Sequence, residues 1–209
     1  MGRVRSFGLT VLLSMVLVAV GWRWASRRHN MPCPSQLSWM LDDRLLGPFR
    51  FTHTELDRIG PRPGQRVLEI GPGPGRLLVP AADRVLPGGE VVGLELQPKM
   101  IEKLQARAHK TGVRNLSVVQ GDAADAHFPS ETFDLVFMVT VLGDIPDRAA
   151  ALSRAYEVLK PGGLLSVTEI FSDPHYQSKS TVQRLAEAQG FHLVGIYGRW
   201  YHFTANFSK

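Results

Sequence analysis

A single cysteine, Cys33, stands in a chain of 209 residues, so no intramolecular disulfide can form and chemistry that needs several thiols is excluded. Cys33 lies between Pro32 and Pro34 in a linker, where an inert role outweighs that of a reactive or lipidated thiol. The seven histidines show no H-x-x-x-H or other clustered ligand spacing, and no metal is expected. No internal repeat or low-complexity tract is present. Acidic residues are missing before Met31, whereas five of the 24 Lys+Arg fall there: Arg3, Arg5, Arg23, Arg27 and Arg28. The rest of the chain holds 19 basic and 19 acidic residues, so the net charge of +5 and the pI near 9.7 belong to the N-terminal segment. A basic pI would otherwise suggest nucleic acid. The neutral remainder argues against that partner.

Long apolar runs are scarce too, and the one that exists is N-terminal. Phe7 to Trp22 contains no ionisable residue, is bracketed by arginines, and at about 16 residues sits at the short edge for a bilayer-spanning helix. Trp22 and Trp24 stand where interfacial anchors are expected. A cleaved signal peptide competes through the small-x-small site Ala19-Val20-Gly21, but the tryptophans and arginines that follow directly favour an anchor. Arg23, Arg27 and Arg28 outnumber Arg3 and Arg5, which orients the remainder toward the cytoplasm. The expected organisation is a membrane anchor over 1–30, a linker and helical cap over 31–60, and the main domain over 61–209. Within the cap, Leu37, Trp39, Met40, Leu41, Leu45 and Leu46 read as one or two amphipathic helices that either cover a pocket or pad a sheet.

The most informative stretch is Val67-Leu68-Glu69-Ile70-Gly71-Pro72-Gly73-Pro74-Gly75: an apolar strand, a carboxylate, then glycines at alternate positions. Such a turn carries a strand into a helix while leaving bare backbone for a ligand. A dinucleotide fingerprint needs G-x-G-x-x-G, and after Gly71 and Gly73 the third glycine position falls on Arg76. Pro72 and Pro74 remove two N–H donors, and Glu69 would repel a phosphate but suit an ammonium or sulfonium group. A phosphate-free, nucleotide-like ligand fits best. Glu95 ends the next apolar run 26 residues beyond Glu69, near the offset at which an acid reaches a ribose in doubly wound sites. Its carboxylate can accept from both ribose hydroxyls.

With these residues in order, the chain resembles the class I S-adenosylmethionine-dependent methyltransferases, in the broad group of the ubiquinone/menaquinone biosynthesis enzymes, from about Arg62 to the C-terminus. The resemblance implies that Glu69, Gly71, Gly73 and Gly75 wrap the methionine half of S-adenosylmethionine, with Glu95 and Leu96 at the ribose. It also implies that Asp122 accepts from the adenine amino group, that the Ala123 N–H meets the ring, and that Thr140 and Leu142 face the methyl donor. The Leu-Lys-Pro-Gly-Gly turn at Leu159 to Gly163 is typical of the family as well.

Strands are expected at Val67–Ile70, Glu90–Glu95, Asn115–Gln120, Phe133–Val139 and Leu164–Ile170, with two more from Phe191 and near Trp200. Helices are expected over Arg76–Arg84, Pro98–Lys110, Arg148–Leu159 and Ser180–Gln189. The expected fold is therefore α/β: a Rossmann-like, seven-stranded, mostly parallel sheet with an antiparallel last strand, helices on both faces, and an N-terminal hydrophobic helix. Methyl transfer asks mainly for positioning and a dry pocket, and for a base only when the nucleophile carries a proton. Candidates at the exits of strands four and five are Asp144, Glu169, Asp173, His175 and Tyr176, of which His175 and Glu169 are put forward as catalytic. The expected acceptor is small or lipid-like: a quinone, a lipid headgroup, a thiol or an amine. A nucleotide-dependent oxidoreductase and a non-catalytic cofactor-binding scaffold are the alternatives.

Overall fold

The computed structural model describes residues 51–209, with Gly21 the one described position before them. The expected anchor over 1–30 and the cap residues up to 50 lie outside the described residues. Among the described residues no helix is long and apolar enough to cross a membrane.

Seven strands form one sheet: β1 (Arg66–Ile70), β2 (Glu90–Glu95), β3 (Leu116–Gln120), β4 (Phe133–Val139), β5 (Leu159–Ile170), β6 (His192–Arg199) and β7 (His202–Ser208). Their order is β3-β2-β1-β4-β5-β7-β6. β1, β2, β3, β4 and β5 pair in parallel, and β7 runs antiparallel between β5 and β6. The expected sheet with its antiparallel final strand is what forms. Among residues 51–209 five helices accompany it: α1 (Thr52–Ile59), α2 (Leu78–Arg84), α3 (Pro98–Thr111), α4 (Arg148–Val158) and α5 (Lys179–Glu187).

Alternate residues of the central strands feed two separate cores, as the two-residue strand period requires. Val67, Val91, Leu135, Phe137 and Val139 pack with Leu56 and Ile59 of α1, Leu78 and Ala81 of α2 and Leu104 of α3. On the other face Leu68, Val92, Val136, Met138 and Val167 pack with Ala151, Leu152 and Ala155 of α4 and with Val182 and Ala186 of α5. Both faces of β4 are buried from Leu135 to Val139, which is why that part of its sequence is an unbroken apolar run.

One boundary needs correction here, and for the helix before β1 one of the two roles left open is observed. β5 begins at Leu159, earlier than Leu164, because Leu159 already pairs with Phe133 and the Lys-Pro-Gly-Gly turn is an irregularity inside the strand. Residues 52–59 belong to the main core, since Leu56 and Ile59 are buried under the sheet and Asn206 Nδ2 of β7 donates to Arg58 O at 2.8 Å. That helix pads the sheet.

Sheet order reverses between β1 and β4. In open α/β sheets this switch point, at the carboxyl ends of the strands, is where a crevice opens for a ligand.

Candidate active site

A cavity of about 260 Å³ lies at that switch point, lined among others by Glu69, Gly71, Glu95, Asp122, Thr140 and Asp144. That is near the lower end of small-molecule pockets, which span roughly 300–1,000 Å³.

The β1–α2 turn forms its floor. Gly71, Gly73 and Gly75 have φ of +69°, +54° and +80°, the left-handed region in which glycine carries no side-chain penalty. A Cβ on Gly71 would come within 2.6 Å of Val141 Cγ2. The turn's backbone donors are spent internally. Gly71 N donates to Leu94 O at 2.8 Å, Gly73 N to Glu95 Oε2 at 3.0 Å and Gly75 N to Pro72 O at 2.9 Å. Pro72 and Pro74 have no N–H. None of the N–H donors of Gly71 to Gly75 remains for a phosphate, so this glycine stretch does not form the anion cradle of a dinucleotide site.

Glu95 is fixed at the end of β2. Its Oε2 holds Gly73 N and its Oε1 accepts from Gln97 N at 2.9 Å, which leaves each carboxylate oxygen a further lone pair toward the cavity. Leu96, half-exposed, lines the wall next to it. Asp122 follows β3, where its Oδ1 accepts from Ala124 N at 2.8 Å in an Asx turn that presents Ala123 to the cavity. Thr140 lies at the exit of β4 with φ of +52°, an outlier for a β-branched residue, held by Thr140 N donating to Thr168 O at 2.9 Å. Strain of this sort collects at ligand sites.

Glu69 is buried in the wall and its Oε2 has no hydrogen-bond partner among the described residues. Burial pushes its carboxyl up to about 8, against a lowering by Arg76. Arg76 also lines the cavity, but its Nη1 is bound to Glu55 Oε2 at 2.6 Å and to Thr52 Oγ1 at 3.2 Å. Burial alone would raise the Glu55 carboxyl, yet His202 and Arg76 hold it below its usual range. α1 thus keeps the cation of the wall paired.

The expected residues do not all meet at the cavity. Glu69, Gly71, Gly73, Glu95, Leu96, Asp122, Ala123 and Thr140 line it, whereas Gly75, Leu142, Glu169 and His175 do not. Gly75 serves packing: a Cβ there would come within 3.0 Å of Leu104 Cγ on α3. Leu142 is fully buried among the α4-side core. Glu169 is buried on β5, where Oε2 accepts from Gln177 N at 3.0 Å and burial pushes the carboxyl up to about 8. His175 is buried behind Asp144, its Nδ1 against Asp144 Oδ1. The acidic groups that reach the cavity on this side are Asp144, from the β4–α4 loop, and Asp173, from the β5–α5 loop. Both were legible as strand-exit acids, but which loop side chain turns inward is decided by packing.

A family model described as a methyltransferase domain matches residues 67–163. The chain is 38% identical over 138 residues to a nocamycin O-methyltransferase of Saccharothrix syringae, covering 62% of this chain and 49% of that protein. It is 36% identical over 150 residues to a ubiquinone/menaquinone biosynthesis C-methyltransferase of Vibrio vulnificus, covering 71% of this chain and 55% of that one. The chain thus spans about half the length of the curated relatives it matches. Among solved structures, a SAM-dependent methyltransferase from Aquifex aeolicus superposes with a TM-score of 0.76 at 20% identity, over 85% of this chain and 99% of that chain.

Proposed function

We propose that this chain, which belongs to the class I S-adenosylmethionine-dependent methyltransferases, transfers a methyl group from S-adenosylmethionine to a small-molecule acceptor. The observation that carries this reading is the stretch Gly71 to Gly75, whose N–H donors are absent or internally bound while the wall around it is rich in carboxylates. S-Adenosylmethionine is a nucleoside with no phosphate and with cationic ammonium and sulfonium groups. The residues present fit it. The orphaned Oε2 of Glu69 can accept from the ammonium, Gly71 and Gly73 let the methionine portion lie against backbone, and Glu95 can accept from the ribose hydroxyls. Asp122 and Ala123 suit the adenine edge, beside Leu96, and Thr140 borders the reacting end. When bound, the cofactor supplies an electrophilic methyl carbon on sulfur. The protein holds acceptor and carbon in line and keeps water out.

Outside the cavity lining, the carboxyl edge of the sheet carries exposed rings. Phe171, Trp200 and Tyr201 are 46%, 61% and 44% exposed at the carboxyl edge of the sheet. Phe171 stacks edge-on against Trp200 at 5.0 Å and Tyr176 at 5.5 Å. These rings support a quinone- or lipid-like acceptor, delivered at a membrane to which the N-terminal apolar run tethers the chain.

Calorimetry on the full chain tests the reading. S-Adenosylhomocysteine should bind and NAD(H) should not; the reverse order would remove the assignment. Glu95→Ala should weaken binding by about 1.5–3 kcal/mol, the worth of hydrogen bonds to a charged group. Unchanged affinity would place the ribose elsewhere.

A further inference from the structure

We propose that Asp144 takes a proton from the methyl acceptor, with His175 behind it as a positioning residue, so that the acceptor enters the site as a still-protonated nucleophile, a hydroxyl or an ammonium. The inference rests on the methyl-transfer reading above and deepens it.

The order of groups is cavity, then Asp144, then His175. Asp144 and Asp173 line the cavity, while His175 is only 5% exposed and does not. The imidazole therefore meets the carboxylate from behind, through Nδ1. With its proton on the nitrogen that faces Asp144, the imidazole fixes the carboxylate's direction and favours its ionised form, in line with the lowering that His175 exerts on it.

Both loops that bring these groups together are held in place. Asp144 N donates to Val141 O at 2.9 Å, and Arg148 donates from Nε to Leu142 O at 3.0 Å and from Nη2 to Gly143 O at 2.9 Å. On the other loop, His175 N donates to Asp173 Oδ1 at 2.7 Å, and Gln177 Nε2 to His175 O at 2.6 Å. Gly143 seals the join, because a Cβ there would overlap the His175 carbonyl. A base must be positioned before its proton affinity matters, and this one is.

Charge then selects the acceptor. Among the described residues lining the cavity, Glu69, Glu95, Asp122, Asp144 and Asp173 are acids and Arg76 is the single cationic side chain, itself paired with Glu55. An acceptor that arrived already ionised, as a phenolate, carboxylate or phosphate, would meet Asp144 and Asp173 with like charge. A neutral hydroxyl or a cationic ammonium meets no such barrier, but its nucleophilic atom must shed a proton inside the cavity. In the transfer the acceptor's X–H bond breaks with the proton passing to the Asp144 carboxylate. The X–CH₃ bond forms as the S–CH₃ bond breaks, and that electron pair stays on sulfur.

The groups facing Asp144 are Asp173, His175, Arg148 and Glu169. Burial and then the Asp173 charge push its carboxyl up to about 7, against the lowering by His175 and Arg148, which places it where a general base works best.

Two measurements on the full chain decide the matter. With ¹³C-labelled aspartate carboxyls and S-adenosylhomocysteine bound, one carboxyl should titrate near neutral pH. It should vanish in Asp144→Asn, move to lower pH in Asp173→Asn, where a like charge is removed, and move to higher pH in His175→Gln. Labelled methyl transfer to a series of naphthols and a series of alkylamines should then fall about 10²- to 10⁴-fold in Asp144→Asn. S-Adenosylhomocysteine affinity should stay within about twofold, as expected for a group that adds its effect in the transition state. The series that is methylated tells oxygen from nitrogen. An Asp144→Asn enzyme with wild-type turnover and pH profile, or no aspartate titrating near neutrality, would overturn the proposal. So would turnover abolished by EDTA and restored by Mg²⁺, which would make the cluster a cation site. Failure of S-adenosylhomocysteine to bind the wild-type chain would instead strike the methyl-transfer reading itself.

Discussion

At the scale of single residues, the acids of the wall separate by what each one touches. Glu95 is saturated on one lone pair of each oxygen by backbone N–H groups, whereas Glu69 keeps a buried oxygen without a partner. That difference has a measurable sign. Burial raises the Glu69 carboxyl to about 8, so near neutral pH it is mostly protonated in the free protein. A ligand ammonium favours the ionised form, so binding must expel a proton. Calorimetry of S-adenosylmethionine binding near pH 7, in buffers of different ionisation enthalpy, should count release of up to one proton by the wild-type chain, and affinity should rise with pH toward 8. Glu69→Gln should abolish that release; equal proton counts in both proteins would show that Glu69 does not meet the ligand. Glu69 and Glu95 were readable from the sequence because strand-end position and a fixed offset determine where they sit. His175 was not, because the residue type suggests a base while only the packing of two loops shows that Asp144 stands in front of it.

At the scale of elements, strand and helix periods made most of the fold legible. The β6–β7 hairpin, the two-sided burial of β4 and the stop of α3 at Gly112 all follow from local pattern. What local pattern does not encode is contact between segments distant in sequence. α1 joins the core because Leu56 and Ile59 find Val67 and Leu77, and β5 starts early because Leu159 finds Phe133. Gly75 reads like its neighbours in the motif, yet it is Leu104, far along the chain, that requires it to be small. The β4–α4 and β5–α5 loops meet in the same fashion. Gly143 lies against the His175 carbonyl, so Gly143→Ala must push the loop bearing Asp173 and His175 outward. Overpacking of this kind costs about 1–3 kcal/mol. The variant should melt earlier and transfer methyl more slowly, with S-adenosylhomocysteine affinity within about twofold of wild type, because the cofactor side of the cavity rests on β1, β2 and β3. Loss of cofactor binding in a still-folded Gly143→Ala chain would mean that the two sides of the cavity are mechanically coupled.

At the scale of the whole molecule, charge and apolar surface are unevenly distributed, and the two asymmetries agree. Residues 31–209 are formally neutral, and the excess of +5 sits around the apolar stretch from Phe7 to Trp22. Within the domain, large exposed rings gather at the carboxyl edge of the sheet: Phe171, Trp200 and Tyr201. Tryptophan and tyrosine favour the boundary between lipid and water, and arginines near it are drawn to anionic headgroups. Under the proposed tether, that aromatic edge lies against the bilayer from which an apolar acceptor enters. A chain tethered as proposed should fractionate with membranes and resist extraction by high salt, since burial of an apolar segment is not screened by ions whereas headgroup attraction is. Replacing Leu12 and Leu17 together by arginine should release it to the soluble fraction with S-adenosylhomocysteine affinity intact, because charged residues at a helix centre cost about 2.5–3.5 kcal/mol each on insertion scales. Trp200→Ala should leave fractionation and cofactor affinity unchanged and raise KM for a vesicle-embedded acceptor more than for a detergent-dispersed one. Wild-type protein recovered in the soluble fraction would sink the tether, and equal KM changes in both presentations would sink the docking of the aromatic edge.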